Sequence, residues 1–533
     1  MPFDALVTEN GVVAQKLLKQ NTDTSKTYDV IVIGSGMGGG VLASALADKG
    51  KKVLVLEAGS LLFHTHVGNI PRRFAIGKFQ KHIWSLWETF KVINYNQAGS
   101  NYKGAQAFNL GGRSIFWGSS IPELASWELA SPWPAVVKDY LLTPGLDGKT
   151  GYEKARRVFN ADDPGPTAFQ TEAKAILDRV VTGWHSSNAP VAVEYVGATN
   201  WSVPAGIFST ADLLLEDVLV ETPATRHVVT VNLNHAVWNV ERDPANSRKV
   251  TGVKCYDLLA NQERTYKAKQ VVICAGTIES TKIALKSNLP DPNHKIGKGI
   301  TDHAILYRHF VIPKSFWPPT SPSPFSGPLS EPRSAKVLLT HPGATETQYA
   351  FDIIVELGAQ FNQGRYVDPD HLAADTTLSN GGLLCEIVFQ FYAPLNDNNK
   401  VERDSADPEN PAKRVNVTIH AATVPDPLLI EAKKIAKDVL TEFQAVKVEG
   451  EQDLYDSHGN VILETASIGG VAHEVGTLRM SSDGSGVVDE NLKFHECDNL
   501  YACDNSVFPA SPAGNPSLTL CALALRLADR LGS

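Results

Sequence analysis

The feature that most constrains this chain is the run Val30-Ile31-Val32-Ile33, followed at once by Gly34-Ser35-Gly36-Met37-Gly38-Gly39-Gly40. An apolar run without alternation reads as a parallel strand buried on both faces. Gly34, Gly36 and Gly39 form a G-x-G-x-x-G turn, and Val41 to Lys49 carries helical apolar spacing. A second apolar run, Val53 to Leu56, ends on Glu57. Glycines in such a turn let the backbone approach a pyrophosphate, the helix N-terminus receives its charge, and the carboxylate takes the ribose hydroxyls. Strand, helix, second strand and acid stand in register, which predicts a dinucleotide-binding βαβ unit over residues 28–60.

A chain of 533 residues is longer than one core usually serves, so more than one domain is expected. The net charge of −9, with no basic run, speaks against a nucleic-acid partner. Six cysteines are scattered without a C-x-x-C pair, which predicts buried, reduced thiols and no metal site. Residues 1–25 lack the basic-then-apolar pattern of a signal peptide, and no apolar run reaches membrane-spanning length. The expectation is a cytoplasmic protein with no membrane partner.

Further strands are predicted at Val228–Leu233, Ala236–Val240, Val250–Tyr256 and Val271–Cys274, the last followed by a helix from Glu279 to Lys286. Residues 315–332 hold too many prolines for a helix or a central strand and read as a loop, either a lid or a solvated connector. Strand-like content at 383–394 and 414–423 predicts a second sheet, and Ser517 to Leu531 is an apolar helix.

The C-terminal third is more specific. His473-Glu474-Val475-Gly476-Thr477-Leu478-Arg479-Met480 precedes Val487-Val488-Asp489. The run Asn499 to Pro509, containing Cys503-Asp504-Asn505-Ser506, leads to Gly514-Asn515-Pro516-Ser517-Leu518-Thr519. With Leu110-Gly111-Gly112-Arg113-Ser114 and the first glycine motif, this succession resembles the glucose-methanol-choline (GMC) family of flavoproteins. The resemblance spans nearly the whole chain and is weakest at 140–225 and 305–440. Within the family the chain is most similar to the branch of pyranose 2-oxidases and glycoside 3-oxidases, where a His and an Asn form the catalytic pair.

The resemblance implies an α/β fold in which a Rossmann-type FAD-binding domain is interleaved with a substrate domain built on a mostly antiparallel sheet. The FAD-binding domain would take residues 1–140, 226–305 and 466–533. Residues 141–225 would be an insertion or part of the substrate domain, and 306–465 the substrate domain proper. The implied cofactor is FAD rather than NAD. Its ADP half would lie over Gly34, Gly36 and Gly39, with Glu57 on the ribose and the adenine held by main chain at Val237. Gly111, Gly112 and Ser114 would run beside the flavin. Ala275, Asp504 and Asn505 would complete the pyrophosphate and ribityl contacts, and Pro516 and Ser517 open the last helix toward the flavin N1–O2 edge. Members that tether FAD covalently carry His in Ser-x-His-Trp-Thr, whereas this chain reads Ser114-Ile115-Phe116-Trp117-Gly118. Non-covalent FAD follows. Gly118 stands where those enzymes have a threonine near flavin N5, so the electron acceptor stays open between O2 and another soluble acceptor.

The chemistry has its own logic. Oxidation of an alcohol by a flavin removes a hydride from carbon and a proton from oxygen, and the carbinol proton needs a base at neutral pH. His473 is the expected base and Asn515 its partner, while His303 and His495 read as structural. Asn515 also reads as an N-cap with Pro516 at the first helical position. The substrate expected is a sugar or glycoside oxidised at C2 or C3, with Gln390, Tyr392, Asn396 and Asn398 as hydroxyl contacts and Trp84, Trp87 and Trp117 shaping the pocket. A sterol or aryl alcohol is the alternative, and a non-redox use of the fold a third.

Overall fold

Strand Thr27–Ile33 lies inside a seven-stranded sheet, as its unbroken apolar run requires, with Val30 to Ile33 at most 3% exposed. The computed structural model describes residues 18, 20–70, 86–97, 100, 102–159, 166, 168–198, 201–219, 229–316, 335–358, 374–404 and 414–533. The strand pairs in parallel with Val53–Leu56 on one side and with the second half of Gln262–Ile273 on the other. Thr230–Asn232 and Leu500–Ala502 add further parallel pairings. The first half of Gln262–Ile273 instead pairs antiparallel with Asn246–Asp257, which pairs with His235–Asp243. These strands run past the limits predicted from apolar content because the far ends of the ribbon are polar and solvated. Helix Met37–Asp48 crosses between the first two strands, and the closing helix Ser517–Gly532 packs against it.

A second sheet of six strands has the order Glu464–Thr465, Ile305–Ile312, Leu383–Phe391, Phe351–Leu357, Ala335–Thr340, His185–Asn188, with every pairing antiparallel. All nine residues of Leu383–Phe391 are buried. Successive side chains on a strand alternate faces. Ile387, Phe389 and Phe391 therefore enter one core with the apolar stripe of helix Asp426–Glu442, Leu428, Ala432, Ile435, Ala436 and Val439. Glu386, Val388 and Gln390 turn the other way, and this face carries Gln390 into the site described below.

One expectation changes. The 414–423 stretch does not join the second sheet. Its strand, Val415–Thr418, lies in a separate three-stranded sheet between Lys400–Glu402 and Tyr95–Gln97. Alternating burial of Val415 and Val417 marks a strand but carries no information about its partner. Most of the proline-rich segment (317–332), Val228 and Trp84 lie outside the described residues. All six cysteines are buried and free. Among the described residues no helix is long and apolar enough to cross a membrane.

Candidate active site

The turn after the first strand is built around what its glycines exclude. Gly34 has φ +97°, and a Cβ there would stand 2.5 Å from the carbonyl oxygen of Cys274. A Cβ on Gly39 would meet the Gly34 carbonyl at 2.1 Å, so Gly39 serves the packing of helix on strand and does not line the cavity. Gly36 differs, since a Cβ there would meet nothing within 4 Å. It caps Met37–Asp48 and faces open space, which leaves unsatisfied helix N–H groups aimed into a cavity. Glu57, 5% exposed, accepts from Ser35 N at 3.0 Å, Ser35 Oγ at 2.6 Å and Gly59 N at 2.8 Å. Burial raises its pKa, against the pull of these hydrogen bonds. Ser35 was not singled out in the sequence, yet it joins the acid to the turn and takes Gly111 N at 2.9 Å on its Oγ.

One cavity of about 530 Å³ runs from this turn to the C-terminal motifs. Gly34, Gly36, Glu57, Gly112, Ser114, Val237, Ala275, Asp504, Asn505, Ser517, His473 and Asn515 all line it. Gly39, Gly111 and Pro516 do not and lie behind its wall. Gly111 (φ +86°) and Gly112 (φ +53°) bring their segment so close that a Cβ on Gly112 would sit 3.3 Å from Gly36 Cα. The Ser114 hydroxyl donates to the Gly111 carbonyl at 2.6 Å and receives Thr210 N at 3.0 Å. Asp504, buried and with its pKa raised by that burial, accepts from Gly276 N at 2.9 Å and from the Ser280 hydroxyl at the start of helix Thr277–Lys286. A long cleft with a bare glycine cradle, a buried acid and helix N-termini has the donor set and shape that FAD needs.

Phe116, Trp87, Trp117 and Gly118 line the same cavity, with the Trp87 and Phe116 rings 5.5 Å apart. Gln390 lines it too, and its buried Oε1 has no hydrogen-bond partner. Tyr392, Asn396 and Asn398 do not reach it. Tyr392 packs on Trp127 at 5.6 Å, and Asn396 accepts the Asn398 N–H at 3.0 Å within a turn.

His473 is held from several sides. Ala472 before it has φ +60°, a conformation uncommon outside glycine, and sits in the cavity wall. Glu474 after it is ion-paired with Arg113 at 2.9 Å and hydrogen-bonded by Tyr102. The two sequence motifs thus meet through Arg113 and Glu474. Asn515 Nδ2 lies 3.3 Å from His473 Nε2, and its Oδ1 is buried without a hydrogen-bond partner. The capping expectation for Asn515 is overturned. The closing helix begins at Ser517 with Pro516 as its N-cap, and no side chain caps it. The Pro516 carbonyl accepts the first helical bond from Leu520 N at 2.9 Å, so the Asn515 amide is left for the cavity.

His303, which the sequence reads as structural, stands against His473. Its Nε2 is 2.9 Å from His473 Nδ1, and its Nδ1 is 2.7 Å from the Pro512 carbonyl. Burial pushes its pKa down to about 4. His495 lines no part of the cavity. Glu128 was not singled out either. Its pKa is raised by burial to about 7, and Asp352 beside it is driven up by burial and by the charge of Glu128.

Family models agree with this geometry. Residues 208–305 and 394–524 match the two halves of the GMC oxidoreductase model, and 32–67 match an NAD(P)-binding Rossmann-like domain. The chain is 24% identical to paromamine 6'-oxidase of Streptomyces fradiae, over 95% of this chain and 91% of that one. It is 24% identical to 6'''-hydroxyparomomycin C oxidase of Streptomyces lividus, over 95% and 92%. A long-chain-alcohol oxidase of Arabidopsis thaliana is 23% identical over 94% of this chain and 67% of its own. A solved formate oxidase of Aspergillus oryzae RIB40 shares the fold, with TM-score 0.62 and 16% identity over 95% and 98%. The chain belongs to the GMC oxidoreductase family, the FAD-dependent enzymes that act on CH–OH groups.

Proposed function

We propose that this enzyme oxidises a secondary hydroxyl of a sugar or glycoside, at C2 or C3, to the ketone, and passes the electrons to O2 or another soluble acceptor. The observation that carries this reading is the juxtaposition of His473 Nε2 and Asn515 Nδ2, 3.3 Å apart in the cavity wall. A substrate oxygen seated between them donates its proton to His473 and receives an N–H from Asn515. That places a base and a stabiliser of the developing alkoxide on one atom. When bound, FAD supplies the two-electron acceptor for the hydrogen on the carbinol carbon. In this reading the bare turn at Gly34–Gly36 takes the pyrophosphate, Glu57 the ribose and Val237 the adenine. Gly112 and Ser114 run beside the flavin, backed by Gly111. Ala275, Asp504, Asn505 and Ser517 serve its other contacts, and Gly39 and Pro516 shape the elements that present them.

The sugar class rests on unused acceptors. Gln390 Oε1 and Asn515 Oδ1 are buried without partners, and such atoms are costly unless a ligand donates to them. A polyhydroxylated ring offers several donors. The relatives named as paromamine 6'-oxidase and 6'''-hydroxyparomomycin C oxidase support the sugar class, though paromamine 6'-oxidase is named for position 6' and neither name gives C2 or C3. A non-sugar alcohol is the second reading, favoured by the Trp87, Phe116 and Trp117 lining and by the long-chain-alcohol oxidases among the relatives.

Anaerobic bleaching of the flavin spectrum by monosaccharides, glycosides, long-chain alcohols and aryl alcohols separates the two. NMR of the product then locates the new carbonyl. Bleaching by sugars with a C2 or C3 ketone is expected. Bleaching only by apolar alcohols would discard the sugar reading. His473→Ala should slow flavin reduction by about 10²–10⁴-fold, the range for loss of a general base.

A further inference from the structure

Three hydrogen bonds among the described residues around His473 form a chain in which the donor of each can be assigned. It starts at Pro512, whose carbonyl can only accept, so His303 Nδ1, 2.7 Å away, carries a proton. A neutral imidazole has one N–H, and His303 is buried and held neutral. Its Nε2 is therefore an acceptor, and the partner 2.9 Å away, His473 Nδ1, must be the donor. His473 in its neutral form is then left with a bare Nε2, toward which the Asn515 amide points its N–H at 3.3 Å. Both ends of the chain sit on one short loop, Pro512 at one end and Asn515 at the other. The loop that presents the amide thus also orients the histidine pair.

We infer that His303 is a positioning residue which, by accepting the Nδ1 proton of His473, fixes the one tautomer whose Nε2 carries no proton and can take that of the substrate. A carboxylate commonly holds a catalytic histidine in this way. Here a second imidazole takes that place without adding a buried negative charge beside the site. The inference rests on the reading of His473 as the base, and its test is chosen to fail separately from that reading.

Histidine-selective ¹⁵N NMR of the FAD-loaded full chain reads the tautomer without a substrate. His473→Gln identifies the His473 signals by their loss. The expected wild-type pattern is a protonated Nδ1 and a bare Nε2 on His473. His303→Gln, whose amide oxygen can accept from Nδ1–H, should keep that pattern. His303→Leu, with no acceptor, should shift it toward the opposite tautomer and slow flavin reduction by about 10–100-fold, the range for losing a partner that orients a metal-bound histidine. A proton on Nε2 of wild-type His473 overturns the inference, whether or not the Leu variant folds. So does an unchanged tautomer in folded His303→Leu. Near wild-type flavin reduction in His473→Ala would instead remove the base assignment and leave the tautomer result standing.

Discussion

The Glu128 carboxylate accepts the backbone N–H of Ala513 at 2.8 Å and of Gly514 at 3.1 Å, immediately ahead of Asn515 and 385 residues away along the chain from the first of them. Its other oxygen takes Ala125 N at 2.7 Å. One buried side chain therefore holds the loop that delivers Asn515 to His473. Glu128→Ala would strand these buried amides, at a cost of about 1–3 kcal/mol for an unsatisfied group. It should lower the melting temperature and slow flavin reduction together, whereas Glu128→Gln keeps an acceptor and should retain most of both. Stopped-flow reduction at the wild-type rate in Glu128→Ala would show that the loop does not depend on it.

Acid precipitation of the yellow protein should release FAD into the supernatant. By the resemblance to pyranose 2-oxidases Phe116 would stand at the tethering position, and its ring has no nucleophilic atom to bond the flavin. Colour retained in the washed pellet would reveal a covalent bond through another residue.

Asn515→Asp and Asn515→Ala should leave thermal stability nearly unchanged, because Asn515 does not cap the closing helix. Both should slow flavin reduction, by up to the ~10²–10³-fold seen when one donor to a developing oxyanion is lost. The Asp variant also places a negative charge where the alkoxide forms. A large drop in melting temperature with little change in rate would reverse the assignment.

Stability should fall between neutral and alkaline pH through His309. This residue lies in the second sheet, 2.9 Å from Glu451 and 3.2 Å from Glu386. Burial depresses its pKa, but hydrogen bonds and charge from Glu386 and Glu451 outweigh this and raise it from 6.5 to about 9. A group whose folded pKa is raised contributes stability that is complete below the unfolded value and lost as pH rises through the folded one. Urea midpoints of the wild type should therefore decline between pH 6.5 and about 9, and His309→Gln should flatten that decline. Parallel profiles for the two proteins would contradict it.

The βαβ unit was legible because all its parts are neighbours in the chain. Strand, glycine turn, helix and Glu57 lie within 28–60, and the requirement for positive φ at Gly34 is written locally. His473 and Asn515 were legible because short motifs surround each. The strand Leu383–Phe391 showed its apolar content, but pairing is a long-range choice, so the separate sheet that holds Val415–Thr418 could not be read ahead. Asn515 sat where a cap is expected, but the helix begins at Ser517 with Pro516 as its N-cap.

Sequence alone marked the dinucleotide-binding unit, because its parts stand at short, fixed spacing, and the resemblance of its motifs pointed to the family and to His473 and Asn515 as the candidate pair. Tertiary structure alone decided that His303 stands behind His473, that Glu128 holds the Asn515 loop and that Gln390 turns into the cavity. A hydrogen bond between residues 170 or 385 positions apart leaves no periodicity or motif in a single chain. It exists only once two sheets and the loop at 512–515 are packed against each other.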